Sequence, residues 1–188
     1  MFFNSLTRKD QAEMTSVAAR VQESLRAIPD YPKPGILFQD ITPVLGNGPL
    51  LHDVITEMVA PFRHRDVTHV LGIEARGFIL GGAVAMALGA GFVPARKPGK
   101  LPWERASESY DLEYGSDALE AHRDSWTHGS RVLVVDDVLA TGGTARAAAQ
   151  LSRGLGADLV GWSFLLEIQA LGGRARLEGA PCQVVARR

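Results

Sequence analysis

Apolar positions along this chain alternate between two spacings, and the alternation predicts the architecture. From Asp10 to Ile28, the residues Val17, Val21, Leu25 and Ile28 recur at helical spacing, and Pro29 ends the run. Leu50–Phe62 repeats the amphipathic helical pattern, Gly77–Leu88 predicts a glycine-containing helix, and an alanine-rich helix is expected to end near Leu155. Between these lie short continuous apolar runs: Val67–Ile73, Gly91–Ala95, Val132–Asp136 and Asp158–Leu166. Each reads as a strand buried on both faces. Strand and helix in turn predict an α/β fold, a mostly parallel sheet with helices on both faces. Two segments stand outside the alternation. Pro32–Pro43 is proline-rich and expected to be irregular or extended, and Lys97–Ser109 is polar, holds two prolines and has no period. The second predicts a mobile loop.

The run Arg131–Arg146, RVLVVDDVLATGGTAR, concentrates the chemistry. A buried strand delivers Asp136 and Asp137 at its C-terminal end, and Thr141, Gly142, Gly143 and Thr144 follow before the helix. A strand, a glycine loop and a helix N-terminus make an anion site, because the first backbone N–H groups have no helical acceptor. The acids cannot bind the same anion. They suit hydroxyls or a cation on the same ligand, and a phosphate beside a diol describes a ribose 5-phosphate. No lysine follows the glycines as in a Walker A loop, and no GxGxxG is present. Arg76, in EARG after the strand ending at Ile73, is expected at the same sheet edge, pre-organised for a phosphate or diphosphate. Arg96, Lys97 and Lys100 place three cations in five residues with no acid between them, leading into the loop.

This pattern resembles the phosphoribosyl-diphosphate-binding motif of the type I phosphoribosyltransferases: hydrophobic strand, two acids, then ATGGT. Four further segments narrow the resemblance to the adenine-using branch: YPKPGILFQDITPVL at Tyr31–Leu45, EARGF at Glu74–Phe78, ARKPGKLPWE at Ala95–Glu104 and YDLEYG at Tyr110–Gly115. They stand in the family's order and spacing from about Pro29 to Glu167. The resemblance implies transfer of a phosphoribosyl group to adenine with loss of diphosphate, giving AMP through an oxocarbenium-like transition state. Mg²⁺ is implied as the cofactor, carried by the diphosphate and ribose hydroxyls with no direct protein ligand.

Site roles follow from the same resemblance. Asp136 and Asp137 would hold the ribose hydroxyls, and Ala140, Thr141, Gly142, Gly143 and Thr144 the 5-phosphate. Ala75, Arg76, Arg96, Lys97 and Lys100 would meet diphosphate, with Arg96 acting here or across a dimer. A non-proline cis peptide is implied at Glu74–Ala75. Glu113 would be the catalytic carboxylate beside the purine imidazole ring, on an alternating strand. Residues from about 30 to 45 would form a hood over the base, with Leu37, Phe38, Gln39 and Arg76 as adenine contacts. Gln39 stands where many family members carry arginine, which leaves recognition there to the backbone.

Bulk properties bound the rest. The chain has 188 residues, 46% hydrophobic and 22% charged, and is expected to form one domain over 1–188. A net charge of -1 implies no broad nucleic-acid surface. The single cysteine, Cys182, fits packing in a reducing cytoplasm, and the five histidines are scattered without zinc spacing. No signal sequence or membrane-spanning run is seen, so a cytoplasmic homodimer acting on small molecules is expected. Three rivals are a phosphoribosyltransferase for another base, a non-catalytic sensor of phosphoribosyl diphosphate and a diphosphokinase. The GILFQD and YDLEYG segments point to adenine. Too few basic residues precede the first motif for a DNA-binding element, and the chain is too short to add an ATP site.

Overall fold

A computed structural model describes residues 16–112 and 115–188. Helix α1 (Val17–Ser24) leads into an antiparallel ribbon of β1 (Arg26–Pro29) and β2 (Leu37–Asp40). Helices α2 (Thr42–Leu45) and α3 (Gly48–Val59) follow, then β3 (His69–Ile73), α4 (Arg76–Leu88) and β4 (Gly91–Ala95). A second hairpin is formed by β5 (Arg105–Leu112) and β6 (Gly115–His122). The chain ends through β7 (Arg131–Leu139), α5 (Gly143–Gly154), β8 (Asp158–Glu167) and β9 (Cys182–Arg187).

Five strands build the central sheet in the order β4-β3-β7-β8-β9, all parallel. The strand alternation splits the core into two layers. Val70, Leu133, Val135 and Leu165 face α1 to α4, while Leu71, Val132, Val134 and Trp162 face α5 and the β5–β6 hairpin. Both faces are covered, which is why these strands are continuous apolar runs. The chain moves from β3 outward to β4 in one direction and from β7 to β8 and β9 in the other. The path therefore reverses between β3 and β7, and a crevice opens beyond their C-terminal ends, where ligands bind in open α/β sheets.

Four local expectations are corrected. The first helix stops at Ser24 rather than Ile28, because Ile28 pairs with Phe38 in the β1–β2 ribbon; tertiary pairing overrides the helical spacing. The proline-rich segment is extended in β2, as expected, but ends in a helical turn, α2. Within 97–109, residues 105–109 belong to β5. Its inward positions Ala106 and Glu108 are small or charged, so no apolar alternation marks it. β7 continues past Asp136 to Leu139, paired through Val138 and Leu139 to β8, so both acids lie inside the strand.

Candidate active site

Two helix N-termini meet at the crevice, and neither carries a side-chain cap. α4 begins after Ala75 and α5 after Gly142, with no capping hydrogen bond at either. Away from the crevice, Ser16 caps α1 and Asn47 caps α3 through bonds to the Ala19 and Leu50 N–H groups. Uncapped N–H groups at the sheet edge remain available to an anion.

The glycine loop between β7 and α5 is tightly shaped. Gly142 has φ +81°, a left-handed conformation that favours glycine, and its carbonyl closes the first turn by accepting from Arg146 N–H at 2.9 Å. Asp136, Val138, Ala140, Thr141, Gly142 and Thr144 line a cavity of about 70 Å³. Gly143 opens the helix just beyond it.

Asp137 is 5% exposed, and Arg76 Nε donates to its Oδ2. Glu74, two residues before Arg76, pairs instead with Arg96 and Lys100. Asp137 N–H donates to Asp136 Oδ1 at 2.8 Å. Burial, and next the charge of Asp137, push the Asp136 carboxyl well above the usual carboxylate range. Gly77 makes this packing possible, because a Cβ there would lie 2.8 Å from Asp136 Oδ1 and 3.0 Å from the Val135 carbonyl oxygen.

The Glu74–Ala75 peptide is cis. Arg96, Lys97 and Lys100 have no acid between them in sequence, yet Glu74 gathers this segment in space. Its carboxylate accepts from Lys97 N–H at 3.0 Å and from Lys100 Nζ at 2.5 Å, and lies 3.5 Å from Arg96 Nε. Burial alone would raise the Glu74 pKa; the Lys100, Lys97 and Arg96 donors outweigh it and bring it to about 2. The Lys97 ammonium turns away to Asp117 and to the Tyr110 hydroxyl, the latter at 2.6 Å. Burial opposes its charge, but these partners hold Lys97 above the ordinary lysine range. A second buried acid, Glu120, accepts from Gly99 N–H and Arg105 Nε, both at 3.0 Å. Two carboxylates thus fix the start of the loop expected at 97–109.

The β1–β2 ribbon brings the proposed hood to the same crevice. Leu37, Phe38, Gln39, Arg76, Val138 and Ile168 line a cavity of about 170 Å³. The Arg76 guanidinium lies 5.3 Å from the Phe38 ring centroid, within cation–π range. The Gln39 side chain accepts from Arg188 Nη1 at 2.8 Å, so it is held toward β9. Val138 lines both this cavity and that of the glycine loop. Glu113, the expected catalytic carboxylate, lies outside the described residues.

The fold therefore brings Ala75, Arg76, Asp136, Asp137, residues 140–144 and the hood residues to one crevice, with Arg96 and Lys100 held beside it by Glu74. The sequence reading assigned no role to Gly77, Val138, Ile168 or Asp117. Gly77 stands within the EARGF run and so was visible; the apolar wall residues carried no signal.

Residues 46–171 match the phosphoribosyl transferase domain family. An adenine phosphoribosyltransferase of Myxococcus xanthus is 58% identical over 163 residues, spanning 87% of this chain and 89% of its own. The crystal structure of adenine phosphoribosyltransferase from Rhodothermus marinus is similar with a TM-score of 0.88 at 48% identity, covering 92% of this chain and 98% of the other. That from Saccharomyces cerevisiae, complexed with an imino-altritol bisphosphate and adenine, gives a TM-score of 0.84 at 39% identity, covering 90% and 98%.

Proposed function

The chain belongs to the adenine phosphoribosyltransferases, pentosyltransferases of purine salvage that convert adenine to AMP, and on that premise we propose how its own residues perform the transfer. The observation that carries the reading is the juxtaposition of two cavities sharing Val138: one under an uncapped helix N-terminus, the other under the hood.

In this reading the loop 140–144 receives the 5-phosphate, chiefly through backbone N–H groups at the start of α5. Asp136 and Asp137 hold the ribose hydroxyls and stabilise the positive charge that develops on an oxocarbenium-like ring. Adenine lies against Phe38 and Val138 under β2. Among the described residues β2 pairs only with β1, which leaves its second edge of N–H and C=O groups unpaired. A backbone donor beside a backbone acceptor favours a 6-amino purine over a 6-oxo purine. The adenine imidazole nitrogen attacks the anomeric carbon as diphosphate departs toward Ala75, Arg76, Arg96 and Lys100; the Lys97 ammonium joins them only on leaving Asp117 and the Tyr110 hydroxyl. Glu113 handles the proton of the imidazole ring.

Asp136 and Asp137 are too few acids for a magnesium cage, and the described residues contain no cluster of three or more His, Cys, Asp or Glu able to hold a metal. That donor set fits a Mg²⁺ ion that keeps its waters and rides on the substrate. When bound, Mg²⁺ supplies Lewis-acid polarisation of the diphosphate. The loop from 97 to 104, ahead of β5, closes over the site and excludes water, within a single domain spanning 1–188. We further propose a homodimer, supported by the exposed Ile79 (52%), Met86 (86%) and Phe92 (38%) on α4 and β4. A cytoplasmic location is supported by the lone cysteine; no described helix is long and apolar enough to cross a membrane.

The test is a spectrophotometric assay for nucleotide formation with phosphoribosyl diphosphate and Mg²⁺, offering adenine, hypoxanthine, guanine and orotate separately. Turnover confined to adenine, and sharply reduced in Glu113→Ala, is expected. Turnover of a 6-oxo purine instead would overturn the account of the hood.

A further inference from the structure

The glycine loop has a second wall that the reaction above does not use. A short helical turn, Gly173–Arg176, packs directly behind it. A Cβ on Gly173 would fall 2.1 Å from the Ala140 carbonyl oxygen and 2.8 Å from Gly142 N, and a Cβ on Gly142 would fall 2.6 Å from the Gly173 carbonyl oxygen. The two backbones are therefore in contact with no side chain between them, and any displacement of the turn is transmitted to residues 140–142.

The turn is held by a clamp built on Glu167. This residue ends β8 opposite Leu139 and is 5% exposed. Its Oε1 accepts from Arg174 Nε at 2.9 Å and its Oε2 from Arg174 Nη2 at 2.8 Å, a two-pronged fork. Arg174 Nη1 also donates to the Cys182 carbonyl at 3.1 Å, and Arg187 Nε to Glu167 Oε2 at 3.2 Å. Between clamp and turn, Ile168 N–H donates to the Leu139 carbonyl at 2.9 Å while its side chain lines the hood cavity. Ile168 thus walls the base pocket, while the turn at Gly173, held by Arg174, backs the phosphate loop.

We infer that Glu167 and Arg174 are positioning residues that set the conformation of the 140–143 loop through Gly173, without touching substrate. The inference rests on reading that loop as the 5-phosphate cradle. A fork on a buried carboxylate that holds one turn of backbone against another is a supporting shell of the kind that fixes a binding site to within fractions of an ångström.

Steady-state kinetics of Arg174→Ala and Arg174→Lys, with thermal unfolding alongside, test it. Arg174→Ala should raise the KM for phosphoribosyl diphosphate about tenfold while leaving that for adenine within about twofold. Arg174→Lys keeps the charge but not the fork and should recover only part of the loss. Millimolar guanidinium ion should lower the raised KM of Arg174→Ala, and ethylammonium should not. Unchanged KM values, or both rising together with a lowered Tm and no response to guanidinium, would overturn the inference. If the wild-type protein fails to turn over adenine at all, the proposed function falls instead, so the two failures are separable.

Discussion

Glu74 and Lys100 form a bridge across the mouth of the crevice: the carboxylate receives the Lys100 ammonium at 2.5 Å while its other oxygen takes the Lys97 N–H at 3.0 Å. An acid at the end of β3 thereby orders a cationic segment that sequence alone leaves unanchored. Removing it should free that segment. In Glu74→Ala, amide exchange at Lys97 is expected to accelerate about tenfold or more, the effect of losing one charge-assisted hydrogen bond. Unchanged exchange by mass spectrometry or NMR would show that Glu74 does not order the loop.

The same contact has a defined pH dependence. Glu74 has its pKa lowered from 4.5 to about 2 in the folded state, so the unfolded chain binds the proton more readily. Its contribution to stability is complete above 4.5 and is lost as pH falls through about 2. A carboxyl titration followed by NMR should therefore find Glu74 ionised at pH 4; a midpoint near the ordinary value would contradict the geometry.

Asp136 has the opposite sign. Burial and the Asp137 charge raise its pKa, so the folded state binds the proton more tightly and stability falls as pH rises from 3.8 through the raised value. Asp136→Asn should then be more stable than the parent at neutral pH, by about 1 kcal/mol, and catalytically impaired. Urea midpoints at pH 5 and pH 8 provide the check, with the variant showing the flatter profile.

Gly77 is a steric prediction. In Gly77→Ala the new methyl meets the Val135 carbonyl oxygen and Asp136 Cα, which are backbone, and the Asp136 carboxylate, which can turn aside only by giving up its hydrogen bond from Asp137 N–H. A loss of about 2 kcal/mol is expected in urea unfolding, accompanied by a fall in kcat/KM. A neutral variant would mean that α4 can slide without disturbing Asp136.

Cys182 should be unreactive. Burial raises its thiol pKa to about 11, leaving little thiolate at neutral pH. Modification by a disulfide reagent at pH 7.5 should be much slower than for an exposed thiol, and denaturant should abolish the difference.

The parallel sheet was legible because its strands are buried on both faces: Val132–Val135 and Val70–Ile73 could hardly be anything else. The crevice was legible because Asp136, Asp137 and the glycines are costly residues to place at a strand end without a use. The β5 strand was not, since Ala106 and Glu108 occupy its inward positions. Nor was the ribbon at Arg26–Pro29, where Ile28 satisfies a helical spacing as well as a strand pairing with Phe38. The sequence order of Arg96, Lys97 and Lys100 could not reveal Glu74 and Asp117 as their partners, because those contacts span 20 or more residues. Long-range ion pairing leaves no period.

Val138 belongs to both cavities, and this limits how the molecule can change. The hood ribbon and the glycine loop come from separate stretches of chain, so each could be exchanged by grafting without rewriting the other. Val138 is the party wall between them. Enlarging or trimming it alters two rooms at once, and a redesign toward a bulkier base would have to begin by keeping that one side chain as it is.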